Sequence, residues 1–204
     1  MGRCSDAKER LMEAVLELIW IGSYGSTTID QICERAGVKK GSFYYFFDSK
    51  ADLAVAALDA EFKETRQIFD TMFSPTVAPL DRLRKYCEWG LKEQTELKAR
   101  FGRVLGCPLC TLGTEISTLE ENLRAKIQEV MDAHARYVES AVRDADHAGL
   151  LNVTDLPGKM RILGAFIEGL LGQARIRNDI NVLKDMLPGM FEILGVREDK
   201  RVAA

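Results

Sequence analysis

TTIDQICERAGVKKGSFYYFFDSK, Thr27 to Lys50, decides the fold. Ile29, Ile32, Cys33 and Ala36 recur at i, i+3, i+4 and i+7, the apolar face of a short helix. Thr28 stands ahead of it as N-cap, with Gln31 placed to complete a capping box. Gly37 ends the helix where a left-handed residue is easiest. A second helix is expected from about Lys39 to Tyr45, exposing Lys39, Lys40, Ser42, Tyr44 and Tyr45 while burying Phe43 and Phe47. Two short helices, a glycine turn and a polar outer face on the second make a helix-turn-helix reader of the DNA major groove. By itself the stretch also fits an ordinary helical hairpin with a solvated basic end.

The order of residues carries a resemblance. Thr27-Thr28-Ile29 through Ile32, followed by Ala36-Gly37-Val38-Lys39-Lys40-Gly41-Ser42-Phe43-Tyr44-Tyr45-Phe46-Phe47-Asp48-Ser49-Lys50, resembles the N-terminal signature of the TetR family of bacterial transcriptional repressors. Phe46 departs from it, because the family usually has Tyr or His there; a phenyl ring has no donor, so one phosphate contact of the relatives is absent. The likeness implies that Thr28, Tyr44 and Lys50 hold the DNA backbone. The DNA-binding set read from the stretch is Thr28, Lys39, Lys40, Gly41, Ser42, Tyr44, Tyr45 and Lys50. Lys39, Lys40 and Ser42 lie near the helix start, where base edges are read, and Lys40 suits guanine O6 or N7.

Around this stretch the chain reads as all-α. A first helix is expected from about Ser5 to Ile21, stopped by Gly22, so that three helices form a DNA-binding head over residues 1–50. Its expected core is Leu11, Val15, Leu18, Ile29, Ile32, Val38, Phe43 and Phe47. Ser49 and Asp52 offer a capping box for a long fourth helix reaching about Met72, with no linker before it. Ser74 to Ala78 reads as a loop, with Pro79 in the first turn of a fifth helix that fades near Phe101-Gly102. A short sixth helix opens at Gly106-Cys107-Pro108, and a seventh runs from about Leu119 to His147. Two last helices are expected near Leu156–Asn178 and Asn181–Leu194, about nine in all. Pro188-Gly189 should bend the final one, since proline removes a backbone donor.

Residues 51–204 then form a helical ligand-binding and dimerisation domain, as the resemblance implies. Ile162, Phe166, Ile167, Leu170, Leu171 and Ala174 line one stripe, and Val182, Leu183, Met186, Leu187, Met190, Phe191 and Leu194 another. Gly164, Gly169 and Gly172 permit close backbone approach. Pairing the last two helices with a second copy gives a homodimer; a monomer's own core is the alternative. The family likeness also implies a small-molecule inducer, for which Phe62, Tyr86, Trp89, Glu93, Cys107, Met131, Tyr137 and Phe166 are the candidate lining. Glu93 and Glu115 are candidates for carboxylates near that pocket.

Composition narrows the classes further. Charged residues at 29% and hydrophobics at 47% describe a folded chain rather than a disordered tail. A net charge of −3 argues against broad affinity for polyanions, so a DNA footprint has to be local. Arg35, Lys39, Lys40 and Lys50 against Asp48 supply it. Asp6, Glu9, Glu13 and Glu17 interrupt any secretory h-region, Asp6 spoils a myristoylation start, and no apolar run approaches a membrane span. The expected compartment is the cytoplasm, with no membrane association.

Five cysteines is an odd count, best read as reduced thiols. A branch of the family carries a G-C-[PL]-[LV] stretch, matched here by Gly106-Cys107-Pro108-Leu109, with Leu112 and Glu115 following. Cys107 and Cys110 at a helix start, where thiolate is favoured, form a candidate thiol switch; burial as small packing residues is the alternative. His134 and His147 are too far apart to complete a zinc site, so no metal or cofactor is expected. No nucleophile triad or phosphate loop occurs, and no enzyme is expected. The reading is a TetR-type repressor that binds a near-palindromic double-stranded operator as a dimer and is released by inducer or thiol modification. Its competitors are a thiol-redox protein using Cys107 and Cys110, and a helical dimer that meets a protein partner through its head.

Overall fold

A computed structural model describes residues 2–116 and 119–196, with side chains from Asp6 onward. Its elements, among the described residues, are helical throughout: α1 (Gly2–Ile21), α2 (Ile29–Ala36), α3 (Lys40–Phe46), α4 (Lys50–Met72), α5 (Pro79–Phe101), α6 (Pro108–Ile116), α7 (Glu121–His147), α8 (Leu156–Arg177), a 3-10 segment (Ile180–Asp185) and α9 (Met186–Leu194). The chain divides into two compact units. One holds Met1–Thr65 with Pro108–Met131, the other Arg66–Cys107 with Asp132–Ala204. Contacts therefore divide elsewhere than at the expected boundary after residue 50: α4 continues the head without a break, and α6 packs on α1.

In the first unit, Leu11, Val15 and Ile19 form one stripe of α1 at four-residue spacing, all buried. Against them pack Ile32, Cys33 and Ala36 of α2, Phe43 of α3 and Phe47 just after it, with Leu53, Ala54, Ala57 and Leu58 of α4 closing the core. Leu18, Ile29 and Val38, expected inside, are only half-buried: Leu18 lies at the edge of the α1 stripe through Val15 and Ile19, and Ile29 and Val38 stand at the two ends of α2.

The second unit is built on Phe69, Leu80, Leu83, Val142, Leu163, Met190 and Leu194. Arg82 is its fixed cation, only 3% exposed. Its guanidinium donates to the Val77 carbonyl (2.7 Å), the Pro75 carbonyl (3.1 Å) and Asp144 (2.5 Å), tying the Ser74–Ala78 loop to α7. Pro79 opens α5 in the position where its missing N–H costs nothing.

The final helix differs from expectation. A 3-10 turn ends at Asp185 and α9 starts at Met186, so Pro188 falls in a first turn that needs no donor from it. The expected bend is replaced by this change of helix type. Gly189 has its own reason: a Cβ there would stand 2.2 Å from the Phe166 ring, so α8 seats that ring directly on α9 backbone.

Candidate nucleic-acid interface

The geometry of the motif is set by its caps. Thr28 is extended (φ −102°, ψ 157°), its hydroxyl accepts the Gln31 amide at 3.2 Å, and the Gln31 side chain accepts the Thr28 amide at 2.8 Å. The same hydroxyl also donates to the Gln31 side chain at 3.0 Å, so the proton expected for a phosphate is used locally. At the other end Gly37 takes φ 63°, a left-handed turn that a side chain resists. Arg10 of α1 donates to the Ala36 carbonyl at 2.9 Å, placing a cation on the negative end of α2. Lys39 is extended and α3 starts at once behind it.

Phe43 and Phe47 pin α3 to the core, and this decides what points outward. Tyr44 is 54% exposed and Tyr45 75%, so neither ring contributes much to the unit's own core. A Cβ built on Gly41 meets nothing within 4 Å, so nothing among the described residues requires glycine there. Close approach of a partner's backbone would. Lys39 and Ser42 lie beside it, Lys39 exposed and Ser42 half-buried.

Three of the four cations counted into the basic footprint are engaged within the chain. Arg35 makes a two-pronged pair with Glu17 of α1. Lys40 bonds Asp30 at 2.7 Å, and that bond pushes its ammonium above the ordinary lysine value. The pair is exposed and therefore screened by salt and exchangeable for a DNA acceptor. Lys50 turns inward: its ammonium donates to the carbonyls of Tyr24 (2.6 Å) and Thr27 (2.7 Å) and stands 4.0 Å from the centre of the Tyr24 ring. Burial holds it below the ordinary lysine value. Among the described residues Lys39 alone of the four makes no ion pair, side-chain hydrogen bond or ring contact.

Sequence reasoning also missed the partner of the α1–α2 loop. Glu115 of α6, expected near a ligand pocket, accepts the amides of Tyr24 (2.9 Å) and Gly25 (2.7 Å) instead. Burial, with Glu120 beside it, pushes the Tyr24 phenol up to about 12.

The expected ligand lining draws on both units. Phe62 and Met131 belong to the unit that holds the head; Tyr86, Trp89, Glu93, Cys107, Tyr137 and Phe166 belong to the other. Of these, Tyr86, Trp89 and Tyr137 gather around buried Phe69, with ring centres at 5.9, 5.2 and 5.4 Å and edges turned toward it. His134, not foreseen as a member, joins them at 4.8 Å, and burial pushes its imidazole down to about 4. Glu93 is half-buried, and Phe166 is occupied by its seat on Gly189.

No disulfide joins the four cysteines whose side chains are described. Cys33 and Cys87 are buried, and burial raises both, Cys87 to about 12, which makes them poor nucleophiles. Cys107 and Cys110 are half-exposed. Gly106 before them takes φ 69°, exchanges hydrogen bonds with buried Gln94 (2.8 and 3.1 Å), and would press a Cβ to 3.0 Å from the Leu171 carbonyl. Among the described residues no group of three His, Cys, Asp or Glu is placed to hold a metal ion, and no helix is long and apolar enough to cross a membrane.

Comparison with known proteins agrees with this geometry. Residues 11–57 match the model described as bacterial regulatory proteins, tetR family, and residues 79–190 match the tetracyclin repressor-like C-terminal domain. An uncharacterized HTH-type transcriptional regulator of Lactococcus lactis is 29% identical over 93% of this chain and 95% of its own length. The transcriptional regulator AcuR of Cereibacter sphaeroides is 32% identical over 74% of this chain and 68% of its own. A solved regulatory protein TetR from Rhodobacter sphaeroides superposes with TM-score 0.80 at 28% identity, covering 92% of this chain and 98% of that one.

Proposed function

The chain belongs to the TetR family of transcriptional regulators, and from that premise we propose that it is a repressor whose dimer lays two copies of α3 into successive major grooves. One observation carries the reading: α3 is nailed to the core by Phe43 and Phe47 while Lys39, Gly41, Tyr44 and Tyr45 are exposed, the two tyrosine rings set edge-on against their neighbours Phe43 and Phe46. Lys39, Lys40 and Ser42 reach base edges from the helix start, and Lys40 leaves Asp30 to do so. Tyr44 and Tyr45 hold phosphate or cover a thymine methyl. Thr28 and Lys50 act less as phosphate clamps than as struts: they fix the loop and helix that aim α3, with Lys50 keeping one proton for a phosphate.

The second copy meets α8. Ile162 (57% exposed) and Ile176 (78%) stand on its outer face, with Ala165 and Gly169 between them, and a Cβ on Gly169 meets nothing within 4 Å. That unpartnered apolar stripe supports a dimer. Most of the α9 stripe is spent inside its own unit, so α8 supplies the larger share of the interface. A two-fold dimer reads a near-palindromic operator. Release follows when an effector favours a second arrangement of the heads by about 1–3 kcal/mol. The rings of Tyr86, Trp89 and Tyr137 are the place for an apolar inducer, and half-exposed Cys107 and Cys110 are the thiols open to modification. A cytoplasmic location suits all of these roles. The thiol-redox alternative gains nothing from the comparisons.

The test is binding to duplex fragments from upstream of its own gene, followed by single-base operator variants. Specific, palindrome-centred binding with two chains per site is expected. Lys40→Ala relaxes preference at one base position, whereas Lys50→Ala lowers every affinity alike. Equal parallel losses in both variants contradict the assignment of Lys40.

A further inference from the structure

We propose that Glu115 is a positioning residue for operator binding: through its carboxylate, α6 grips the α1–α2 loop and so sets how α2 and α3 are presented. The inference rests on the DNA-binding reading and adds to it a named route by which the place of α6 is felt at the recognition helix.

The contacts make the grip unusually direct. The two oxygens of Glu115 accept two consecutive backbone amides, Tyr24 at 2.9 Å and Gly25 at 2.7 Å. Carboxylate-to-amide bonds of this kind are charge-assisted and short. Their partners are main chain, so what is fixed is the loop's path and not a rotamer. From the opposite side Lys50, at the start of α4, donates to the carbonyls of Tyr24 and Thr27. Tyr24 thus hands its N–H to an anion on α6 and its C=O to a cation on α4. Its phenol reaches Glu120, beyond the end of α6, at 3.3 Å. Thr27 directly precedes Thr28, whose capping box starts α2. A movement of α6 therefore pulls at the residues that set the first turn of the motif.

The seat of α6 is equally tight. A Cβ on Gly113 would lie 3.3 Å from Cγ2 of Ile127 on α7, so even one methyl forces a shift of a few tenths of an ångström. On the loop side, a Cβ on Gly25 would stand 3.1 Å from Oε1 of Glu115. Both ends of the route can be disturbed without touching α3.

The experiment is a double-mutant cycle on operator affinity with the full chain, using its own upstream DNA, together with amide exchange at Tyr24 and Gly25. Glu115→Gln leaves only one acceptor oxygen; it is expected to weaken operator binding roughly tenfold and to speed exchange at those two amides. Gly113→Ala and Gly25→Ala each weaken binding alone and add nothing in the Glu115→Gln background. Should Glu115→Gln not fold, the Gly113→Ala/Gly25→Ala pair carries the same test, with less than additive losses expected. Fully additive losses, or unchanged operator affinity in a Glu115→Gln protein whose two amides exchange freely, overturn the proposal alone. A wild-type chain that ignores upstream DNA overturns the DNA-binding reading with it.

Discussion

Lys39 and Lys50 belong to one short stretch of sequence and have opposite uses. Lys39 stands at the start of α3, exposed and unpaired among the described residues, beside Gly41 and the outward tyrosines. Lys50 opens α4 and points back into the unit, two of its protons on main-chain carbonyls and its charge over a tyrosine ring. The difference teaches that counting cations along a helix-turn-helix overstates its electrostatic footprint. A charge contributes to the duplex only when the fold leaves it unspent. Arg82 of the second unit lies at the far end of this scale, nearly inaccessible and donating to three acceptors.

The comparison breaks most visibly at Arg82. Arg82→Met removes a donor from two carbonyls and from Asp144, and should cost about 3 kcal/mol in urea unfolding. A loss no larger than that of a surface lysine would show the loop to be held by something else. His134 gives the next largest effect, as an imidazole kept neutral by burial. Its folded value of about 4 lies below the unfolded 6.5, so the unfolded chain binds the extra proton. Stability from this group is complete above the unfolded value and is lost as pH falls toward the folded one. Between about pH 7 and pH 5 the loss is about 2 kcal/mol, and His134→Phe should flatten that part of the urea-midpoint profile relative to wild type.

Lys50→Met comes third. It leaves the Tyr24 and Thr27 carbonyls without their donor at a partly solvated site, for about 1–2 kcal/mol of stability, with a loss of operator affinity across all sequences. Lys39→Gln should be the mildest: unfolding unchanged within about 0.5 kcal/mol, and the slope of log affinity against log salt reduced by about 1. If Lys39→Gln destabilised the fold, or Lys50→Met changed only the salt slope, the inward and outward assignments would have to be exchanged.

What the sequence disclosed was local. Thr28 with Gln31, Gly37, Pro79 and Gly102 announce their helix ends because each works on backbone within a turn of itself. The buried pair Phe43 and Phe47 was legible for the same reason, lying on one side of a short helix. The uses of the charged residues were not. Glu115 is 91 positions from Tyr24, and Arg35 is 18 from Glu17; no spacing rule joins them. The 3-10 start of the last segment was hidden because Val182, Leu183, Met186 and Met190 fit a continuous α-helical stripe equally well. His134 was passed over because it was weighed only as a metal ligand, whereas its ring is one of those packed around Phe69.

The most direct measurement is affinity for the chain's own upstream duplex across a salt series, for wild type and for Tyr44→Ala with Tyr45→Ala. Expected is a linear fall of log affinity with log salt, and a large loss in the double variant while its unfolding midpoint stays put, since neither ring supports the core. Binding that is absent at about 50 mM salt, or indifferent to removal of both tyrosines, would contradict a recognition face on α3.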